Sequence, residues 1–144
     1  MLHLEPVTPD NWRCGLRVRE DQSHYVAGSA GILARAYAYR GSRSEALIIY
    51  QDDTPVGMAM YYDLSDWQAY NFSQFFIDAR YQGKGYGLEA ARLVLQRLRA
   101  DGRFDRVVLC YVEGDTAAQR LYEKLGFTPT GEVEEDEVVM ELKL

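Results

Sequence analysis

A glycine-rich turn between a predicted strand and a predicted helix is the most constraining feature of this sequence. The turn consists of Gln82, Gly83, Lys84, Gly85, Tyr86 and Gly87. It follows a strand-like run at residues 70–78 and precedes an amphipathic helix predicted over residues 88–100. Glycines allow positive φ and close approach of a ligand, and the first N–H groups of a helix are unpaired. The turn therefore predicts a site for a phosphate or pyrophosphate, although its spacing is neither that of a dinucleotide fold nor that of a P-loop.

Two motifs in this order carry a resemblance to a known family. The turn has the form Gln-x-x-Gly-x-Gly, which resembles the acetyl-CoA loop of the GNAT N-acetyltransferases. Downstream, residues 118–127 include Leu-Tyr-x-x-x-Gly-Phe, which is similar to the second cofactor helix of that family. The resemblance covers residues 46–144. It implies acetyl-CoA as cosubstrate, no metal, and direct transfer of an acetyl group to an amine.

The spacing of apolar residues along the chain predicts one α/β (α+β) domain over residues 1–144. Strands are predicted at residues 2–7, 46–51, 56–63, 70–78 and 106–112, and in the segment after residue 127. Helices are predicted at residues 8–22, 28–39, 88–100 and 115–124, the first because Thr8 and Pro9 form an N-terminal helix signal. This is the order of the GNAT fold, a mixed, mostly antiparallel sheet of about six to seven strands with about four flanking helices.

Charge and cysteine content exclude several classes of protein. A net charge of −6 disfavours nucleic acid as a partner and favours cationic small molecules. No apolar run is long enough to cross a membrane and no signal peptide is recognisable, so we expect a cytoplasmic protein. Cys14 and Cys110 stand far apart with no neighbouring ligand cluster, which predicts two reduced core thiols rather than a disulfide or zinc site. The resemblance also allows a homodimer.

An acidic cluster lies near the C-terminus of the chain. It consists of Glu132, Glu134, Glu135, Asp136 and Glu137. The preferred interpretation is a solvated connection between the last two strands, and the alternative is a patch that binds a cationic substrate.

The resemblance assigns cofactor roles to several positions. The backbone at Phe76 and Ile77 would pair with the pantetheine arm, and one N–H there would polarise the thioester carbonyl. The amides of residues 82–87 would hold the pyrophosphate. Lys84 would either add a positive charge near the phosphates or be a solvated loop lysine.

Two further cofactor positions have alternative interpretations. Many family members have asparagine where this chain has Asp115, which would contact pantetheine or serve only as the N-cap of its helix. Lys124 would contact the nucleotide end of the cofactor or favour the helix C-terminus electrostatically.

Tyr122 matches the family tyrosine that lies near the thioester sulfur, where its phenol would donate a proton to the leaving thiolate. The general base is left open. Some diamine acetyltransferases carry a carboxylate where this chain has Ser73, so Glu113 or a chain of waters remains as the base. His24 is interpreted as a structural or solvated loop histidine.

The N-terminal part offers candidate acceptor residues. The segment from Arg19 to Ala27, taken with residues 75–87, resembles bacterial spermine and spermidine acetyltransferases. Glu20 and Asp21 would pair with one ammonium of a polyamine, or form an exposed helix end. Tyrosines that include Tyr39 and Tyr62 would form an aromatic wall around a cationic amine or pack in the core, and the bend at 67–70 is the best-placed part of such a wall. Aminoglycosides, amino acids and protein N-termini remain alternative acceptors, and a non-catalytic CoA-binding sensor is the alternative function.

Overall fold

The computed structural model describes residues 1–23 and 27–144, which form one mixed sheet with helices on both faces. The seven strands are β1 (Leu2–Pro6), β2 (Glu45–Gln51), β3 (Thr54–Leu64), β4 (Ala69–Ile77), β5 (Arg106–Val112), β6 (Thr128–Glu134) and β7 (Glu137–Lys143). Within the described residues the α-helices are α1 (Ser29–Ala38), α2 (Tyr86–Asp101) and α3 (Thr116–Lys124). The α/β class and the strand positions predicted from the sequence are confirmed.

The sheet has the order β1-β2-β3-β4-β5-β7-β6, and only β4 and β5 are parallel neighbours. These two strands are paired only where Tyr70 faces Val107 and Asn71 faces Val108. Beyond Asn71 the register between them ends, although β4 continues to Ile77 and β5 to Val112. The middle of the sheet therefore opens into a gap lined by the C-terminal halves of both strands.

Apolar side chains pack on both faces of the sheet. The larger core lies between the sheet and α2, and includes Phe75, Ile77 and Tyr122. The smaller core lies on the opposite face against α1, and includes Phe76. Because neighbouring strand residues point to opposite faces, the pair Phe75 and Phe76 is divided between the two cores, as the alternation predicts.

A β-bulge distorts β4 beside the gap. Met60 pairs with Gln74 and Tyr61 with Phe72, so that Ser73 is the extra residue of β4. A bulge bends its strand and increases the local twist. It lies just beyond the last pairs between β4 and β5, which is consistent with the separation of these strands.

The prediction of a helix at residues 8–22 is wrong. Asn11 Oδ1 accepts a hydrogen bond from the Thr8 amide at 2.7 Å, and Asn11 Nδ2 donates to the Pro6 carbonyl at 3.0 Å, which closes a local turn. Gly15 then adopts a φ of +74°, which is incompatible with a right-handed helix. Only a single 3-10 turn, Glu20–Gln22, forms before the segment ends. The structure therefore has three α-helices in the described residues, not four.

The prediction of two core thiols is wrong for Cys110. Cys14 is half-buried against the smaller core, whereas Cys110 is exposed on β5, at the gap. Among the helices of the described ranges, none is both long and apolar enough to cross a membrane. Residues 1–23 and 27–144 also contain no group of three or more acidic, His or Cys side chains arranged to hold a metal ion.

Candidate functional site

A cavity of about 460 Å³ fills the gap between β4 and β5. On the α2 side its walls include Ile77, Gly83 and Tyr122, and on the α1 side they include Tyr62 and Glu137. Because residues from both faces of the sheet line it, one cavity connects the glycine-rich turn with the opposite face. Two reactants that approach from the two faces would meet in this gap.

The glycine-rich turn has the geometry of a phosphate-binding loop. Gly83 and Gly85 have φ values of +79° and +81°, and α2 begins immediately afterwards at Tyr86. A Cβ built at either glycine would meet no atom within 4 Å, so open space surrounds the turn. The first amides of α2, a helix of 16 residues, are available to an anion. These features fit the pyrophosphate of a CoA thioester.

Gln82 stands at the start of this turn, but its side chain is engaged within the protein. Its Nε2 donates to the Ile77 carbonyl at 2.9 Å and to Gln22 Oε1 at 3.2 Å. Its Oε1 accepts from Arg19 Nη1 at 3.4 Å. The side chain thus joins the end of β4, the glycine-rich turn and the N-terminal segment, which leaves its backbone as the part that can face a phosphate.

Asp78 forms a second connection between the same parts of the molecule. Its carboxylate is 1% exposed and accepts hydrogen bonds from the Arg17 amide at 2.9 Å and from the amide and guanidinium of Arg80 at 2.9–3.0 Å. The hydrogen bonds from Arg80 hold the pKa of Asp78 at about 2, below its ordinary value. Asp78 therefore anchors the N-terminal segment beside the turn that follows β4.

We expect Asp78→Ala to lower the free energy of unfolding by about 2 kcal/mol at pH 7, because two backbone amides and a guanidinium lose their acceptor. The depressed pKa stabilises the fold above the unfolded-state pKa of about 4, and this contribution is lost as the pH falls through about 2. The difference from wild type is therefore expected to be about 1 kcal/mol smaller at pH 3 than at pH 7.

Urea unfolding at the two pH values measures this difference. The exposed Asp53, in the turn between β2 and β3, provides the control Asp53→Ala, which is expected to change stability by less than about 0.5 kcal/mol. An effect of Asp78→Ala no larger than that of Asp53→Ala would contradict the anchoring role.

The backbone of Ile77, rather than that of Phe76, faces the gap. The Asp78 amide donates to the Val56 carbonyl of β3 at 2.8 Å, so Asp78 and, two residues earlier, Phe76 direct their backbone groups towards β3. Ile77 alternates with them and points the other way, which agrees with its carbonyl accepting from Gln82. Of the two predicted positions, Ile77 therefore has the N–H that can reach a ligand in the gap.

Tyr122 lies on α3 with its ring 9% exposed, packed edge-on against Phe72 and Phe127. In the part of the chain that the structure describes, the Tyr122 hydroxyl makes no hydrogen bond. Every fully buried side-chain N or O atom of these residues does have a partner, so the Tyr122 hydroxyl is not fully buried. The hydroxyl therefore keeps contact with open space, and Tyr122 lines the cavity. Burial, and secondarily the carboxylate of Asp115, raises the pKa of Tyr122, so its phenol stays protonated at neutral pH.

The other predicted cofactor residues occupy different positions. Asp115 is the N-cap of α3, where its Oδ1 accepts from the Ala118 amide at 3.2 Å, and it also lines the cavity. Tyr86 is the first residue of α2 and packs at the edge of the larger core. Lys84 is exposed on the turn. Lys124 is exposed at the C-terminus of α3, outside the cavity lining.

The acceptor residues predicted in the N-terminal segment do not line the cavity. Asp21 is bound to Arg19 through two bonds of 2.6 Å, and Glu20 lies beside it on the 3-10 turn. Their neighbour Gln22 does contribute to the wall. Glu113, one alternative for the general base, is exposed outside the lining, and His24 lies outside the described residues.

The α1 side of the cavity is formed by Tyr62, one of the tyrosines that the sequence offered for an aromatic wall, and by polar residues that sequence reasoning missed. Tyr62 is stacked on Tyr39 at 4.2 Å between ring centroids, and its hydroxyl accepts from Asn71 Nδ2 at 2.7 Å. Arg35 of α1 and Gln74 of β4 complete this wall. By contrast, Tyr70, from the predicted aromatic bend, is fully buried and bonded to Asp101. The alternation of side chains along β4 was the only available signal for Asn71.

The β6–β7 hairpin supplies the remaining wall. Glu134 and Glu137 line the cavity together with Cys110 of β5. Partial enclosure of the sulfur and three nearby carboxylates raise the pKa of Cys110 to about 11, so it remains a thiol. Those carboxylates belong to Glu137, Glu134 and Glu132. The predicted hairpin is therefore present and exposed, and two of its acidic side chains also face the cavity.

Comparison with known proteins places these features in a family. The model of the Acetyltransferase (GNAT) family matches residues 6–127. A spermine/spermidine N(1)-acetyltransferase of Bacillus subtilis is 30% identical over 141 residues, which cover 92% of this chain and 91% of that protein.

Solved structures show the same fold at lower identity. A spermidine N-acetyltransferase from Vibrio cholerae, crystallised with CoA and spermine, superposes with a TM-score of 0.79 at 16% identity, over 99% of this chain and 95% of that one. An aminoglycoside acetyltransferase in complex with coenzyme A gives a TM-score of 0.82 at 18% identity, with the same coverage of both chains.

Proposed function

Because the chain belongs to the Acetyltransferase (GNAT) family and takes acetyl-CoA as its cosubstrate, we propose that it acetylates a primary amine of a polyamine, with spermidine or spermine as the leading acceptor. The observation that carries this proposal is the cavity between β4 and β5. It joins the glycine-rich turn to the opposite face of the sheet, and on its wall lies the phenol of Tyr122, which has no hydrogen-bond partner among residues 1–23 and 27–144. A thioester from one side and an amine from the other would meet beside that phenol.

The residues of the cavity have complementary roles in this proposal. The amides of the turn and of the first residues of α2 hold the pyrophosphate. The N–H of Ile77, directed into the gap, polarises the thioester carbonyl as negative charge develops on its oxygen. Tyr122 donates its proton to the departing thiolate, which its raised pKa permits at neutral pH. The amine attacks directly, so no covalent intermediate on the protein is required, and the proton that the nitrogen loses as the amide forms returns through water to the phenolate of Tyr122.

The acceptor amine must lose a proton before it attacks. No carboxylate occupies the position of Ser73 in the bulge, and Glu113 lies outside the cavity. The cavity is open to solvent on the α1 side, so a bound amine can transfer its proton to water without a dedicated base.

A polyamine is favoured over the alternative acceptors by two observations. The relative that is 30% identical over nearly the whole chain is a spermine/spermidine acetyltransferase. The protein also carries a net charge of −6, which favours association with a polycation. Aminoglycosides are the second candidate, because an aminoglycoside acetyltransferase shares the fold. A CoA-binding sensor without turnover would have no need of a phenol in the cavity that lacks a hydrogen-bond partner among the described residues.

We expect saturable, acetyl-CoA-dependent thiol release with spermidine and spermine. The assay is a panel of spermidine, spermine, putrescine, an aminoglycoside, single amino acids and a peptide with a free N-terminus. The value of kcat/KM is expected to be highest for a polyamine. A higher value for the aminoglycoside would replace the polyamine with the second candidate, and thiol release with none of these amines would contradict the proposed acceptor class.

A further inference from the structure

We propose that Glu134 and Glu137 of the β6–β7 hairpin bind the second ammonium of the acceptor, so that the enzyme selects amines with two or more positive charges. This inference rests on the proposed function of the same cavity. It replaces Glu20 and Asp21, which do not line the cavity, with two carboxylates that do.

Glu134 ends β6 and Glu137 begins β7, and the two residues are paired directly across the hairpin. Like charges in directly opposite positions destabilise an antiparallel pair. Neither carboxylate has an ion-pair partner within the described ranges, so the repulsion is uncompensated in the protein alone. A bound cation between them would relieve it.

The β6–β7 hairpin is held against the cavity. Glu137 is paired with Val112 of β5, and the Glu113 amide donates to the Asp136 carbonyl at 2.7 Å. Glu137 shares a face of the sheet with Cys110, because Val139, two residues further along β7, is paired with Cys110. The electrostatic influence of both glutamates on the Cys110 thiol agrees with this arrangement.

Tyr122 lies at the reacting end of the same cavity. The phenol of Tyr122 is more than nine-tenths buried, has no hydrogen-bond partner among the described residues, and opens on this space. It is a polar group that a ligand in the cavity can satisfy. An acceptor whose reacting amine lies near this phenol has its remaining chain on the α1 side, where the glutamates form one wall.

The opposite wall favours the same orientation. Arg35 of α1 lines the cavity and has no salt bridge in the part of the chain that the structure describes. Its positive charge repels a second ammonium, whereas the two glutamates attract it. The charges on the two walls therefore direct a polyamine towards the hairpin.

The test compares spermidine with butylamine, a primary amine without a second charge, in the full-length protein. Wild type is expected to show a kcat/KM about tenfold or more higher for spermidine, and Glu134→Gln/Glu137→Gln is expected to reduce this ratio about tenfold. Glu135→Gln/Asp136→Asn is the matched control, since it also removes two charges from the same hairpin, both outside the cavity lining. It is expected to leave the ratio unchanged.

The outcomes separate this inference from the proposed function. If wild type acetylates spermidine and the double variant keeps the full spermidine preference, the inference is overturned while the proposed function stands. The same holds if Glu135→Gln/Asp136→Asn lowers the ratio as much as Glu134→Gln/Glu137→Gln, because net charge alone would then explain the effect. If wild type acetylates neither amine although it binds acetyl-CoA, both the proposed acceptor and this inference are overturned.

Discussion

Tyr122→Phe is expected to lower kcat by about 10²- to 10⁴-fold while acetyl-CoA binding stays within about twofold of wild type. The substitution removes only the hydroxyl, which is the proposed proton donor to the leaving thiolate. Steady-state thiol release gives kcat, and calorimetric titration with CoA gives the affinity.

The same variant separates catalysis from folding. The hydroxyl of Tyr122 makes no hydrogen bond within the described residues, so its removal leaves no unpaired partner. We therefore expect the free energy of unfolding to change by less than about 0.5 kcal/mol. Tyr111→Phe is the control, because Tyr111 also lines the cavity but has no proposed proton-transfer role. A kcat for Tyr122→Phe equal to that of Tyr111→Phe would exclude Tyr122 as the proton donor.

Gly57→Ala is expected to have the largest effect on stability, lowering the free energy of unfolding by about 2–4 kcal/mol. Gly57 of β3 faces Ile77 of β4 in a close, non-hydrogen-bonded pair. A Cβ at this position would overlap the carbonyl oxygen of Phe76 and lie 3.0 Å from Ile77 Cδ1. Because the overlap involves backbone, no change of rotamer can relieve it, and the strands must move apart.

The displacement would reach the functional site, since Ile77 is the residue whose backbone faces the gap. We therefore expect Gly57→Ala to raise the KM for acetyl-CoA in addition to lowering stability. Urea unfolding and steady-state kinetics measure the two effects. Gly41→Ala provides the control, because a Cβ at Gly41 meets no atom within 4 Å and its φ is not positive. Equal stabilities of the two variants would show that the β3–β4 contact tolerates a methyl group.

The glycine-rich turn before α2 and the position of Tyr122 on α3 were predictable from sequence because their signals are local. The glycines at positions 83 and 85 require a special backbone conformation, and a helix follows at once. Tyr122 has its position in a motif that ends in Gly126 and Phe127. Most strand positions were also predictable, because alternating apolar residues indicate a strand that buries one of its faces.

The N-terminal segment was not predictable because tertiary contacts determine its path. Thr8 and Pro9 are a valid helix start, but Gly15 adopts a left-handed conformation and the Arg17 amide binds Asp78, 61 residues away. A local pattern contains no information about such a distant acceptor. Because this segment has no α-helix, Glu20 and Asp21 lie on a 3-10 turn instead of at the end of a helix, and they do not line the cavity.

For a related reason the sequence left two interpretations of the acidic cluster open, a solvated turn and a patch for a cationic substrate. The hairpin glutamates have the composition of a solvated turn, and they are indeed exposed. Their orientation towards the cavity depends on the register of β7 against β5 and on the early end of pairing between β4 and β5. Arg35 likewise reaches the cavity only because α1 packs on that face of the sheet.

Identification of the reaction product directly tests the transfer of an acetyl group from acetyl-CoA to a polyamine. The protein is incubated with acetyl-CoA and spermidine, and free CoA and acetylated amine are quantified together by mass spectrometry. We expect one acetylated terminal amine of spermidine for each CoA released, and almost none of either product with Tyr122→Phe. Release of CoA without acetylated spermidine would contradict transfer to a polyamine, and binding of acetyl-CoA without release of CoA would favour a sensor.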